Sequence, residues 1–324
     1  RDRSPSRGLG DVYKRQMHFP SKIWRLPEQL GVPYDFTIHD YLSFCPRINL
    51  IDETGRYCGE NQKDDRTCDG CVEINGLEHD QEAQFKSLGG TVADWRAAHG
   101  RWLRGARRIF APSQCAADLF RAHYPLDHVV VKPHPEESPI PLPERQPGSQ
   151  RDVVILGAIG AHKGYSQILS CARDAIKRKL DIHFVIVGFT MDDEALKPFR
   201  NISITGGYSA ETLFDRIQET SANLALFLSP WPETYSYTLS EAWAMGLYPV
   251  ALDIGAVGER IKASGCGHLL PFNASSREIN DALMELLDAP PLVSDARQKI
   301  SPLNGDVLGD YYELAYAEVF PEVG

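Results

Sequence analysis

Ser229-Pro-Trp-Pro-Glu-Thr-Tyr-Ser-Tyr-Thr-Leu-Ser-Glu-Ala-Trp-Ala-Met-Gly246 is the stretch around which the second half of the chain is organised. The apolar run Leu224–Leu228 just before it reads as a buried parallel strand. Pro230 and Pro232 forbid its continuation, and a helical pattern begins near Ser236 and stops at Gly246. Glu233 is thereby placed in a loop at the carboxyl end of a strand, and Glu241 on the following helix, where open α/β sheets hold their ligands. Two carboxylates there can accept hydrogen bonds from vicinal hydroxyls, one set on a sugar and one on a ribose, while the amides of Tyr235 to Thr238 face a phosphate. A bare pair of glutamates at this spacing arises by chance in a chain with 24% charged residues, so the surrounding sequence has to carry the reading.

Upstream, Val153–Leu156 reads as a strand, Gly157–Gly164 as a glycine loop, and Tyr165, Ile168, Leu169, Ala172 and Ala175 as one face of a helix. Strand, glycine loop and helix form a phosphate-binding arrangement, with Gly160 letting the backbone approach and Lys163 opposing the charge. The spacing fits neither the dinucleotide fingerprint nor the P-loop. Further strands at Phe184–Val187, Ile202–Ile204, Leu224–Leu228 and Pro249–Leu252 alternate with helical segments, which predicts a doubly wound parallel sheet. The turn Gly206-Gly207-Tyr208 follows one of these strands, and residues 305–319 read as a final helix.

The first half carries a short helical segment near Trp24–Leu30 and a strand at Tyr34–Ile38 ending in His39-Asp40. Helix, break and helix follow over 82–106, then a strand at Ile109–Ala111, a helix at Gln114–Ala122 and a strand at Val129–Val131. Six prolines between Pro133 and Pro147 mark 133–150 as a linker. Between Cys45 and Cys71 lies a polar stretch that cannot build a core, read as a loop holding Cys45, Cys58, Cys68 and Cys71. Cys68 and Cys71 have ligand spacing, so a thiolate-bound zinc would fold it; two disulfides and four free thiols are the other readings.

The chain has 324 residues, 43% of them hydrophobic, which suits two globular domains. Its net charge of -10 argues against a nucleic-acid surface, and small anionic ligands need only a local site. No apolar run approaches the roughly 18 residues of a spanning helix. Seven unevenly placed cysteines do not form a secreted disulfide framework, so a cytoplasmic chain is the default.

Pro232-Glu233 through Glu241-Ala242, Gly246 and Pro249-Val250, with the Lys163 loop and His39-Asp40-Tyr41, resemble the signature of family 4 retaining glycosyltransferases of the GT-B fold. The resemblance covers nearly everything from His18 onward. It implies an α/β architecture of two Rossmann-like domains. Residues 17–145 would form an acceptor-side domain, incomplete at its amino end, and 146–304 a nucleotide-sugar-binding domain, with a helix over 305–324. Residues 1–16 resemble a translated sequencing adapter rather than natural sequence, and the chain would then be a fragment and a poor catalyst alone. The resemblance further implies His39 and Glu233 as catalytic residues on the donor sugar, and Gly160, Lys163, Tyr208, Ser236, Thr238 and Glu241 as donor-binding residues. Ala158 stands where the family usually has an arginine, which leaves the diphosphate to Lys163 and His162. The implied substrates are a nucleoside-diphosphate sugar and a glycan or lipid-linked acceptor, in cell-surface polysaccharide synthesis at the inner face of the membrane. No metal is implied for catalysis. A nucleotide-sugar epimerase, a phosphorylase and a non-catalytic nucleotide-sugar-binding chain share the same features.

Overall fold

A computed structural model of the chain describes residues 25–52, 54–59, 64–77, 81–136 and 151–289. The leader 1–16, the linker over 137–150 and the carboxyl-terminal helix at 305–324 lie outside the described residues.

In the second half, strands β4 (Asp152–Ile159), β5 (His183–Thr190), β6 (Ile202–Ile204), β7 (Leu224–Phe227), β8 (Tyr248–Leu252) and β9 (His268–Leu270) form one sheet. Every pairing is parallel and the order is β6-β5-β4-β7-β8-β9. Side chains alternate between its faces because the strand period is two. Val153, Ile155, Leu224 and Leu226 enter one core with Ile168 and Ala172 of helix α6 (Tyr165–Arg178) and Ile279 and Leu283 of α10 (Ser276–Asp288). Val154, Leu156, Ala225 and Phe227 enter the other. There they meet Leu213 and Ile217 of α7 (Ala210–Gln218), Leu239 and Trp243 of α8 (Tyr237–Ala244), and Val257 and Ile261 of α9 (Gly255–Ser264). Helices thus cover both faces, as a parallel sheet requires. Strand order reverses between β4 and β7, so the loops leaving these two strands flank the crevice in which such sheets bind ligands.

In the first half, β1 (Asp35–Thr37), β2 (Arg108–Ala111) and β3 (Val129–Val131) form a parallel three-stranded sheet in sequence order. The described helices are α1 (Leu26–Leu30), α2 (Asp65–Asn75), α3 (Glu82–Leu88), α4 (Val92–Gly105) and α5 (Gln114–His123). The mixed α/β class and the Rossmann-like parallel sheets agree with the expected fold. Among the described residues no helix is long and apolar enough to cross a membrane.

Three local expectations need correction. The glycine loop is shorter than read: β4 runs on through Gly157 to Ile159, and only a single 3-10 turn, Ala161–Lys163, intervenes before α6. The cysteine stretch is not all loop, because α2 holds Cys68 and Cys71; none of its residues is buried, so no apolar period announced it. The start of the linker is docked rather than free, with His134 buried and Glu136 paired to Arg260.

Candidate functional site

Two glycines bring the loops of β4 and β7 together. Gly164, at φ +81, closes the 3-10 turn, and a Cβ there would lie 2.2 Å from the Leu228 carbonyl oxygen. Gly255, at φ +60, starts α9 where a Cβ would lie 2.5 Å from Pro232 Cα; the next amide, of Ala256, donates to the Glu233 carbonyl at 2.9 Å. Only glycine permits both approaches and both backbone conformations. The consequence is a direct contact at the crevice: Lys163 Nζ donates to Glu233 Oε2 at 2.5 Å, with the carboxylate almost fully buried and the lysine a quarter exposed. Ser229 also donates to Glu233. Burial pushes the Glu233 carboxyl up, but the Lys163 charge and the hydrogen bonds from Lys163 and Ser229 hold it below its ordinary range.

Glu241 sits on α8 and accepts a hydrogen bond from the Tyr208 hydroxyl at 2.8 Å. Burial raises its carboxyl to about 7 against the lowering effect of that bond; nearby Glu136 raises it further and Lys163 lowers it. A carboxyl whose folded value lies above its unfolded one contributes stability that is complete below the unfolded value and is lost as pH rises through the folded one. Glu241 should therefore stabilise the unliganded protein less as pH climbs from about 4.5 to about 7. A hydroxyl-bearing ligand that donates to the ionised carboxylate should bind more tightly over the same window. Urea unfolding across this range checks the first effect: the parent's stability should fall as pH rises, and Glu241→Gln should remove the share of that dependence which the carboxyl carries.

Ser236 precedes α8 at φ +76, a conformation uncommon for a residue with a side chain, and its hydroxyl lies 3.2 Å from that of Thr238 in the first turn of α8. Arg260 donates to the carbonyls of Ser236 at 2.8 Å and Tyr235 at 3.3 Å and fixes this turn. Gly160 lies at the start of the 3-10 turn, and its carbonyl accepts the Lys163 and Tyr165 amides.

The first half grips the same loop. Trp231 is buried in the first-half core with Tyr41, whose hydroxyl donates to the Pro232 carbonyl at 2.7 Å. The His39 carbonyl accepts from Thr234 Oγ1 at 2.6 Å, which sets His39 beside the residue after Glu233. The His39 ring stacks on His134 with centroids 4.9 Å apart, and burial lowers His39 to about 4 and His134 to about 3, so both rings are neutral near pH 7. On α9, next to Arg260, Glu259 accepts the Gln114 and Cys115 amides at the start of α5, at 2.8 and 2.9 Å. His134, Glu136, Glu259 and Arg260 are residues that the sequence reading did not single out.

The structure therefore brings Lys163 to Glu233, Tyr208 to Glu241, and His39 to the Glu233 loop, with Ser236 and Thr238 at the start of α8 and Gly160 in the turn that carries Lys163. The four candidate metal ligands lie apart from this crevice, in the first half. None of the four forms a disulfide, and among the described residues no group of three or more His, Cys, Asp or Glu is arranged to hold a metal ion.

The family model of the glycosyl transferases group 1 matches residues 140–301, half of the chain. The chain belongs to this family. Its fold is that of GT-B glycosyltransferases. It is similar to the structure of Anabaena Alr3699/HepE in complex with UDP and glucose, at 14% identity and a TM-score of 0.59, over 93% of this chain and 74% of that one. It is similar to sucrose-phosphate synthase from Thermosynechococcus elongatus at 16% identity and a TM-score of 0.57, over 85% and 65%. It is also similar to a S. aureus TarM mutant in complex with Fondaparinux, alpha-GlcNAc-glycerol and UDP, at 12% identity and a TM-score of 0.53, over 85% and 49%. The chain thus spans from about half to about three quarters of those neighbours' lengths. No curated protein matches it.

Proposed function

We propose that this chain binds a nucleoside-diphosphate sugar in the crevice between β4 and β7 and transfers the sugar to an acceptor hydroxyl with retention of anomeric configuration. The observation that carries the reading is the juxtaposition of a buried carboxylate, Glu233, with the ammonium of Lys163 at the switch point of a parallel sheet. Lys163 and the amides at the start of α8 oppose the diphosphate and stabilise the charge of the departing nucleotide, so the proposal assigns no catalytic metal. Glu233 accepts from the sugar hydroxyls, Glu241 with Tyr208 receives the ribose, and His39 approaches the sugar from the first half. Donor binding shares or displaces the Lys163–Glu233 pair, since a phosphate competes with the carboxylate for one ammonium. A neighbour of the same fold was solved with UDP-glucose, which agrees with a nucleotide-sugar donor. A glycan or lipid-linked acceptor, met at the inner face of the membrane in cell-surface polysaccharide synthesis, completes the proposal.

Glu241→Ala should weaken UDP and UDP-glucose alike, Glu233→Ala mainly the sugar-dependent part, and Lys163→Ala every diphosphate, each by roughly 1 to 3 kcal/mol. Calorimetry with UDP, GDP and their glucose conjugates measures this, and three variants binding as the parent does would sink the assignment. Release of epimerised sugar nucleotide would favour the epimerase reading, phosphate-dependent turnover the phosphorylase reading, and donor binding without turnover on any acceptor the non-catalytic one.

A further inference from the structure

The cysteines at 45, 58, 68 and 71 take no part in the crevice, yet the fold gathers them. Cys68 and Cys71 are three apart on α2 and share a face of that helix. Arg96 of α4 donates to Cys68 Sγ at 3.3 Å, to Asp65 Oδ1 at 2.5 Å and to the carbonyl of Phe44, the residue before Cys45, at 2.9 Å. Arg47, two residues after Cys45, donates to Cys71 Sγ at 3.4 Å and to the Ile51 carbonyl at 2.5 Å. Ile51 pairs with Tyr57, and the Cys58 amide donates to the Leu50 carbonyl at 2.9 Å, which folds Cys58 back toward Cys45. Cys45 and Cys58 both pack against the first-half core, on either side of Leu50 and Ile51.

We propose that Cys45, Cys58, Cys68 and Cys71 bind one zinc ion as four thiolates. Such a centre carries two net negative charges, and the two guanidinium groups already aimed at Cys68 and Cys71 Sγ supply both the counter-charge and the N–H···S donors that thiolate sites use. Helix α2 buries none of its own residues, while Cys45 and Cys58 pack against the first-half core and Cys68 against the small cluster of Phe85, Val92 and Trp95. A metal would tie these two clusters together and add folding energy, as it does in small cysteine-rich modules. The ion would hold the four sulfurs at about 2.3 Å from itself, closer together than the unliganded side chains lie. The site has a structural purpose. Cys45 donates its amide to the Tyr41 carbonyl at 2.8 Å, and the Tyr41 hydroxyl holds the Pro232 carbonyl, so the zinc module braces the residue that grips the Glu233 loop.

The test is the full chain, purified without a histidine tag and without chelator. Elemental analysis should find about one zinc per chain. Cobalt exchanged into the protein should show the thiolate-to-cobalt charge-transfer absorption and the intense visible bands of a tetrahedral thiolate site. Cys68→Ser with Cys71→Ser should lose the zinc, whereas Cys115→Ser should keep it. Arg47→Ala and Arg96→Ala should each lower zinc affinity roughly 10- to 100-fold in competition with a chromogenic chelator. Folded protein that carries no zinc and gives no cobalt thiolate bands would overturn the proposal, as would a mass showing these four cysteines joined as disulfides. The parent protein alone decides these outcomes if a cysteine variant fails to fold.

Discussion

Gly188→Ala should destabilise the second half by about 4 kcal/mol or more. Gly188 lies in β5 at φ +141, in register with Gly157 of β4 at φ +104. A Cβ on Gly188 would stand 2.0 Å from the Gly157 carbonyl oxygen and 2.8 Å from its carbon. Both atoms are backbone at the centre of a six-stranded sheet, so no side chain can swing away to relieve the clash. The strained conformation adds to the cost. Against a typical total stability of about 5 to 15 kcal/mol, that removes between roughly a quarter and four fifths of the margin. Gly207→Ala is the control, since a Cβ there meets nothing within 4 Å and φ is not positive; it should stay within about 0.5 kcal/mol of the parent. Urea unfolding followed by far-ultraviolet circular dichroism compares the two, and an unchanged midpoint for Gly188→Ala would remove the argument.

The same glycine pair shows what the sequence could and could not disclose. Gly157 was legible as a place where backbone must come close to something, but a glycine before a turn and one inside a kinked strand look alike in sequence. Only its partner Gly188, 31 residues away and in register, decides between them. The strands at Val153–Leu156 and Leu224–Phe227 were legible because each is buried on both faces by helices, which leaves unbroken apolar runs. Strand β9, His268–Leu270, was not; it has three residues of which only Leu270 is fully buried, too few for a pattern. Glu233 and Glu241 stood out through the proline-bounded turn between them. Their partners did not all follow: Lys163 had the glycine loop as a local marker, whereas Arg260 and Glu136, 124 residues apart, each sit in sequence that carries no sign of the other. Trp231 would pass for a turn residue. It is an anchor in the core of the other half because the loop that carries it is clasped by Tyr41 and His39.

Arg260→Ala should cost about 3 to 5 kcal/mol of stability and, in protein that is still folded, weaken the nucleotide binding proposed above as well. Arg260 and Glu136 are largely buried, at 16% and 12% side-chain exposure, and paired at 3.2 Å. The same guanidinium donates to Ser240 Oγ at 2.6 Å and lies 4.1 Å from the Tyr235 ring centroid and 5.3 Å from that of Trp243. Glu136 also accepts from Tyr235 and Ser240, so truncating the arginine strands a carboxylate in a site built around a cation. It further releases the carbonyls of Tyr235 and Ser236, and with them the constraint that keeps Ser236 at φ +76, a conformation costing of order 1 to 3 kcal/mol. Because Ser236 leads directly into α8, its relaxation reaches the amides proposed to meet the diphosphate. Arg260→Lys restores the charge but neither the flat stacking surface nor the fork, one nitrogen of which holds the two carbonyls while the other holds Glu136 and Ser240, so it should recover less than half of the loss. Glu136→Gln keeps acceptors for Tyr235 and Ser240 and should be milder than Arg260→Ala. The double-mutant cycle of Arg260→Ala with Glu136→Gln should give a coupling of about 1 to 3 kcal/mol. Thermal unfolding and UDP calorimetry on the four proteins measure both effects. Additive changes would show that the two residues act separately, and an Arg260→Ala variant that binds UDP as tightly as the parent would detach this pair from the donor site.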